Sequence, residues 1–544
     1  MVTDPTPAER AGKSCQFKSH RLKHPRLERL LLSVSSVALV QAMLLSPSTA
    51  QTANWTGGGD GTTWSDGANW STGTKPTNNA RIHTSATVTL NTSEAIAGAF
   101  VLGSETANPD LNIVTGGRFG AGTPVSHVNI YVGSSAGTST LTLTGPNAGI
   151  ASGTGSIRIG EIGITTANPG VHSGTPGQGS LIVQGGATIS GAQIYLADAV
   201  NSTASMFVDG AGTSVFVPAN AQNTGWLSVG FAGRGSLEIS NGATVSSQVG
   251  ALATTGPGNG SALIYGQGSI WTIYGGTEFH VGGAGTGTLT LFSGGTLDAM
   301  TSEVVIGKSG HGTVSVGNNS LLTTQNSIVL GYEGSGNGTL TVSAGGTVTS
   351  GIIYITRPLQ TNTTGTLNIG AAPGDPASAP GTINAPGIQF GDGNGTVNFN
   401  HNASNYIFSL PMTGPGAVNQ IAGTTILTAV NGYTGPTNIS GGTLQVDGAI
   451  TASPVAVNAA GTLSGIGTLG GPVTNMGNVM PGHGGPSGAL TMTGAYVGNG
   501  GQLTINTVLG GDASPTSQLV LSGPGASATG NTNVVVNNVG GAGG

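Results

Sequence analysis

Apolar and polar residues alternate with a period of two along most of the chain. Thr288–Leu291 (TLTL) and Thr313–Val316 (TVSV) show it plainly, with Leu or Val on one face and hydroxyls on the other. Such runs last four to six residues and stop at Gly, Asn or Ser. That alternation predicts short half-buried strands. No window carries the three-to-four-residue apolar stripe of an amphipathic helix.

The runs belong to a repeat. Each unit reads as an apolar triplet ending in Gly, a polar turn, Gly-Thr/Ser-Leu alternation, and Gly-Gly-Thr/Ala. Clear copies are Trp226–Ser247, Phe279–Ala299, Val304–Thr324 and Ile328–Ser350. Degenerate copies begin near Ile130, Ile157, Ile194, Ile353 and Ile388. The leading Gly falls at Gly282, Gly307 and Gly331, steps of 25 and 24 residues. One such unit cannot bury its own apolar face, so successive units must stack. The prediction is an all-β fold, an elongated right-handed parallel β-helix in which each strand pairs with its equivalent one coil away. Gly would supply the corners that need a left-handed backbone. At about 4.8 Å per coil, roughly 18 coils would rise about 85 Å. A β-propeller is the competing all-β reading, but it needs about 40–50 residues per blade.

The ends depart from the repeat. Trp55, Trp64 and Trp70 crowd residues 53–71, which suits an N-terminal aromatic cap over the first coil. An aromatic platform for a sugar is the alternative. Residues 374–388 are rich in Pro and Gly and read as a long loop. The predicted organisation is an export signal over 1–50, the cap and first coils over 51–128, the repeat helix over 129–401, and a distinct C-terminal region over 402–544.

Composition narrows the function classes. Of 544 residues, 99 are Gly and only 6% are charged. Seven of the fourteen Lys and Arg lie within residues 1–50, so the remainder has a net charge of −10. That balance argues against nucleic acid as a partner. The basic stretch to Arg29, the apolar run Leu30–Leu45 and the Ser48-x-Ala50 pair predict a secretory signal cleaved between Ala50 and Gln51. Cys15, the one cysteine, is lost with the signal.

Motifs for chemistry mostly fail. Gly133-Ser134-Ser135-Ala136-Gly137 matches G-x-S-x-G but sits between strands in a Gly-rich chain, not on a strand-to-helix elbow. Lys308-Ser309 lacks the spacing of a phosphate-binding loop. Glu278 and His280 can share a strand face, and a solvated face is the simpler reading. His83, His127, His172, His311, His401 and His483 are scattered singly. Asp198, Asp209, Glu238, Asp298, Glu303 and Glu333 read as solubilising charges beside turns, although stacking could align some across coils. Lys308–His311 and Gly331–Glu333 fall at turns. No catalytic, cofactor or metal-binding residue is assigned, and no cofactor is expected.

Asn431–Thr437 (NGYTGPT) with Gly442-Thr443-Leu444 resembles the passenger-associated strand repeat of bacterial autotransporters. Gly461–Gly471, Asn478–Gly482 and Gly488–Met492 are similar to the end of such a passenger, before the segment that nucleates its folding. The resemblance implies type V secretion, with a C-terminal outer-membrane β-barrel as translocator, the chain's own or a separate one. Nothing in residues 1–544 reads as that barrel, whose strands run 9–11 residues with aromatic girdles. The expected location is the cell surface, outer membrane or medium with a barrel, and the periplasm without one. The expected role is a structural or adhesive β-helix in cell or matrix adhesion and aggregation. Cell-surface glycans, matrix proteins and self-association are the partners that role implies. A polysaccharide-degrading enzyme on the same scaffold and a truncated, non-functional remnant are the alternatives.

Overall fold

The computed structural model describes residues 51–103, 107–120, 128–134, 137–161, 176–219 and 225–543. The export signal with Ala50, Ser135 and Ala136 of the G-x-S-x-G match, His127 and His172 lie outside them.

The described chain coils into three parallel sheets, one of 19 strands, one of 11, and a third long one. Every named strand pairing is parallel, as in Phe279↔Val304↔Ile328↔Ile353 on the 19-stranded sheet. The alternation is the cause. Its apolar half turns inward and meets the equivalent residue of the next coil, giving the column Leu289, Val314, Leu340, Leu367 and Val397 on the third sheet. Leu297, Leu322 and Val348 do the same on the 11-stranded sheet. All eight are fully buried. Each such side chain contributes about 1.5–3 kcal/mol by leaving water.

Outward positions stack just as strictly. Thr140, Ser180, Ser205, Ser236, Ser261, Thr288, Thr313, Thr339, Thr366 and Thr396 form one unbroken hydroxyl column on the third sheet. Further along, Asn368, Asn398, Asn419 and Asn438 stack with each amide donating to the carbonyl oxygen of the Asn before it, at 2.8, 2.8 and 3.0 Å. Asn368 and Asn398 are buried, so this chain of bonds satisfies donors that would otherwise be costly.

The tryptophans are core. Trp55, Trp64 and Trp70 are 2%, 0% and 2% exposed. Trp64 meets Trp70, Phe100 and Phe119 edge-on at 4.8, 5.6 and 5.4 Å. Buried Asn69 ties the loop above them, with Nδ2 donating to Asp60 Oδ1 at 2.7 Å and Oδ1 accepting from the Gly59 and Gly61 amides. The rings therefore cover the first coil, and the sugar-platform alternative falls because no indole face is open.

Among the described residues no helix is long and apolar enough to cross a membrane. The helical element there is the 3-10 turn Gly67–Asn69.

Candidate functional site

Charge is scarce, so its placement is informative. On the 19-stranded sheet the third outward position reads Arg158, Tyr195, Ser228, Ala251, His280, Val305, Val329 and Tyr354 in successive coils. Each strand ends at a left-handed corner, as at Gly282, Gly307, Gly331 and Thr356. The residue after that corner is Glu161, Asp198, Phe231, Lys308, Tyr332 or Arg357 in six of these eight coils. The charged and aromatic side chains at these two positions thus lie along one edge of the solenoid and gather into two clusters.

The larger cluster spans the strands Glu278–Val281, Glu303–Ile306, Ile328–Leu330 and Ile353–Ile355. Glu278 and Glu303 stack directly, like charge on like charge. Each has its own cation. Lys308 Nζ donates to Glu278 Oε2 at 2.7 Å, and Arg357 donates to Glu303 Oε2 at 2.9 Å. Tyr332 lies between, with Arg357 4.3 Å and Lys308 5.4 Å from its ring centre, and its hydroxyl donates to Glu278 Oε1 at 3.2 Å. His280 Nε2 lies 2.6 Å from Glu278 Oε2. Burial pushes the Glu278 carboxyl up, but hydrogen bonds from Lys308 and His280 outweigh it and hold it at about 2. Burial also pushes the His280 imidazole down, against the pull of Glu278.

The smaller cluster lies on earlier coils. Arg158 pairs with Asp198 and lies 3.6 Å from Glu161. Its guanidinium sits 5.0 Å from the centre of the Tyr195 ring. These side chains line a pocket of about 450 Å³ with Phe231 and Val200. Burial raises the Glu161 carboxyl to about 7, and Arg158 only partly offsets it. Folded Glu161 therefore keeps its proton up to about pH 7, whereas the unfolded chain releases it near 4.5. Stability is expected to fall as pH rises from 4.5 through 7, by up to about 3 kcal/mol. Glu161→Gln should remove most of that slope in denaturant titrations at pH 5 and pH 8. An unchanged slope would show that Glu161 is charged in the fold.

The sequence pairs Glu278 only with His280, with a solvated face as the simpler reading. The structure brings Lys308, Tyr332, Glu303 and Arg357 to them and half-buries the group. Asp198 joins Arg158. The remaining candidates stay apart. Asp209 accepts from Ser240 and Asn241, Asp298 from the Met300 amide, and Glu238 from the Tyr265 hydroxyl, all local to turns or neighbouring coils. His401 is buried against Thr425, and His483 pairs with Asp447. Among the described residues no three His, Cys, Asp or Glu side chains meet as a metal site. Arg158, Glu161, Tyr354 and Arg357 were missed. Aligning the residue after each left-handed corner would have found Glu161 and Arg357, whereas Arg158 lies two residues before its corner.

Two family matches fall in the C-terminal region. Residues 422–446 match the Passenger-associated-transport-repeat, and residues 476–544 match the Autochaperone Domain Type 1. The adhesin BmaC autotransporter of Brucella suis biovar 1 is 41% identical over 106 residues, 19% of this chain and 3% of that protein. The uncharacterized lipoprotein YdeK of Escherichia coli K12 is 38% identical over 178 residues, 31% of this chain and 13% of that protein. The uncharacterized protein YuaQ of the same strain is 33% identical over 231 residues, 42% and 16% respectively. The chain spans less than a fifth of the length of these curated relatives. A crystal structure of a TibC-catalyzed hyper-glycosylated TibA fragment aligns with 83% of this chain and 98% of that one, at 13% identity and a TM-score of 0.24.

Proposed function

We propose that this chain, an autotransporter passenger by its transport repeat and autochaperone domain, is displayed at the cell surface as an adhesive β-helix. The observation that carries the reading is the unbroken outward column of ten Ser and Thr. Each coil offers one more hydroxyl at the same spacing, so many weak contacts add through avidity. The low charge leaves those contacts little affected by salt. The relative named as an adhesin supports the same role. Delivery would use an outer-membrane β-barrel translocator, and the partners would be cell-surface glycans, matrix proteins or a second copy of the chain.

Beads coated with residues 51–544 test this. They should be retained on cultured cells or matrix-coated surfaces well above uncoated beads, or clump with one another. Retention and clumping both at background would remove the adhesive role.

One observation favours a second reading, a polysaccharide-cleaving enzyme. Glu161 is raised to about 7 beside Asp198 on the next coil, and unlike environments for two carboxyls can divide acid from base. Release of reducing ends from a polysaccharide panel, abolished by Glu161→Gln, would put that reading first.

A further inference from the structure

The groove at the upper end of the larger cluster has a composition of its own. It encloses about 380 Å³ between Glu303, Asn326, Ser327, Tyr354, Arg357 and Pro358. Its floor is the outward face of the 19-stranded sheet. Its polar groups are planar and rigidly held. The Glu303 carboxylate is gripped from both sides, by Ser327 Oγ on Oε1 and by Arg357 on Oε2. Arg357 is in turn stacked on the Tyr332 ring and is 39% exposed. One of its five N–H donors goes to Glu303, and more than a third of the side chain is open to solvent. The Asn326 carbonyl oxygen accepts from the Ser327 amide at 2.8 Å, which fixes the amide plane while the side chain stays exposed.

A second, independent feature borders the same groove. Leu359 is 87% exposed, with φ at +67°, a backbone conformation that a Leu seldom adopts. Its amide donates to Asp392 Oδ2 at 2.6 Å, which holds the turn. The chain therefore spends strain to hold an apolar side chain in water one residue beyond Pro358, which lines the groove, and such strain collects at binding sites.

Charge selects the ligand class. Glu278 is matched by Lys308 and Glu303 by Arg357. The two pairs cancel in charge, which disfavours a phosphate or a uronic acid. The Glu303 charge is already met by Arg357, which disfavours a metal ion, while each of its oxygens keeps a lone pair for a hydroxyl. What remains is a ring face and three planar groups, each already tied to a neighbour, whose further lone pairs and N–H donors can engage neighbouring hydroxyls. We propose that this groove binds one neutral pyranose ring of a surface saccharide. Tyr354 supplies the stacking face, and Glu303, Asn326 and Arg357 hold vicinal hydroxyls. The volume lies near the lower limit for a small-molecule site, which suits one or two rings, not a long oligomer. The proposal rests on the adhesive reading by giving it a defined contact.

The test is calorimetric or saturation-transfer titration of residues 51–544 with methyl glycosides of glucose, galactose, mannose and N-acetylglucosamine, and with galacturonate. At least one neutral glycoside should bind, with an affinity on the order of millimolar. Tyr354→Ala and Asn326→Ala should each weaken it at least tenfold while the thermal unfolding profile stays unchanged. Tyr195→Ala in the other cluster should leave it unchanged. The site is overturned if no neutral glycoside titrates, if galacturonate binds tighter than all of them, or if Tyr354→Ala binds like the wild type. The bead assay fails or succeeds separately. Wild-type beads that do not adhere remove the adhesive role with the titration intact, and a silent titration removes the groove with adhesion intact.

Discussion

Trp64→Ala is expected to destabilise the N-terminal coils by about 3–5 kcal/mol. The indole is fully buried and packs edge-on against Trp70, Phe100 and Phe119, so its loss opens a cavity under the cap. The damage should stay local. A coil contacts only its neighbours, so stability is a sum of nearest-neighbour terms. Hydrogen exchange should quicken in peptides from residues 51–120 and stay at wild-type rates in 280–350. Among the described residues Trp64 Nε1 has no hydrogen-bond partner. Trp64→Phe removes that buried donor while keeping an aromatic ring, and should cost much less than the alanine. Equal losses for Ala and Phe, or exchange that quickens evenly along the chain, would rule out a discrete cap.

Gly307→Ala should come second, at about 3 kcal/mol or more. Gly307 has φ at +70°, and a Cβ there would lie 2.2 Å from the Asn337 carbonyl oxygen and 2.3 Å from its carbon. The conformation alone is not the obstacle. Ala253 and Thr356 occupy the same corner of other coils with φ at +57° and +64°. The obstacle is the carbonyl one coil on, which is backbone and cannot rotate away. Ala253→Gly is therefore the control, with a change of about 1 kcal/mol or less. Exchange in residues 279–342 separates the two. If Gly307→Ala exchanges like the wild type, the coils there are looser than the stacked geometry implies.

The apolar columns were legible because they need only a period of two and a common corner. The alternation at Thr288–Leu291 and the 25-residue step from Gly282 to Gly307 place Leu289 above Val314 without further information. The tryptophan cap was legible for a similar reason, since its three rings are close in sequence. The charged edge was not. Glu303 reaches Arg357 and Tyr332 reaches Glu278 across 54 residues, more than two coils, and coil length varies along the chain. A shift of one residue would turn either partner to the opposite face. The asparagine column was hidden by the same drift, because its members lie 30, 21 and 19 residues apart. Glu161 shows a different limit. Its raised carboxyl depends on burial, which no spacing reports.

The parallel stacking has a mechanical consequence. Hydrogen bonds between coils point along the stacking direction, so tension on the two ends loads them one coil at a time instead of all at once. Leu289 and Val314 are equivalent and 25 residues apart. Each coil that yields releases a contour length of about 85 Å, at about 3.4 Å per extended residue. On the adhesive reading proposed above, a cell tethered through these coils would lengthen its tether in steps under flow, and the load on each distal contact would drop as each coil gave way.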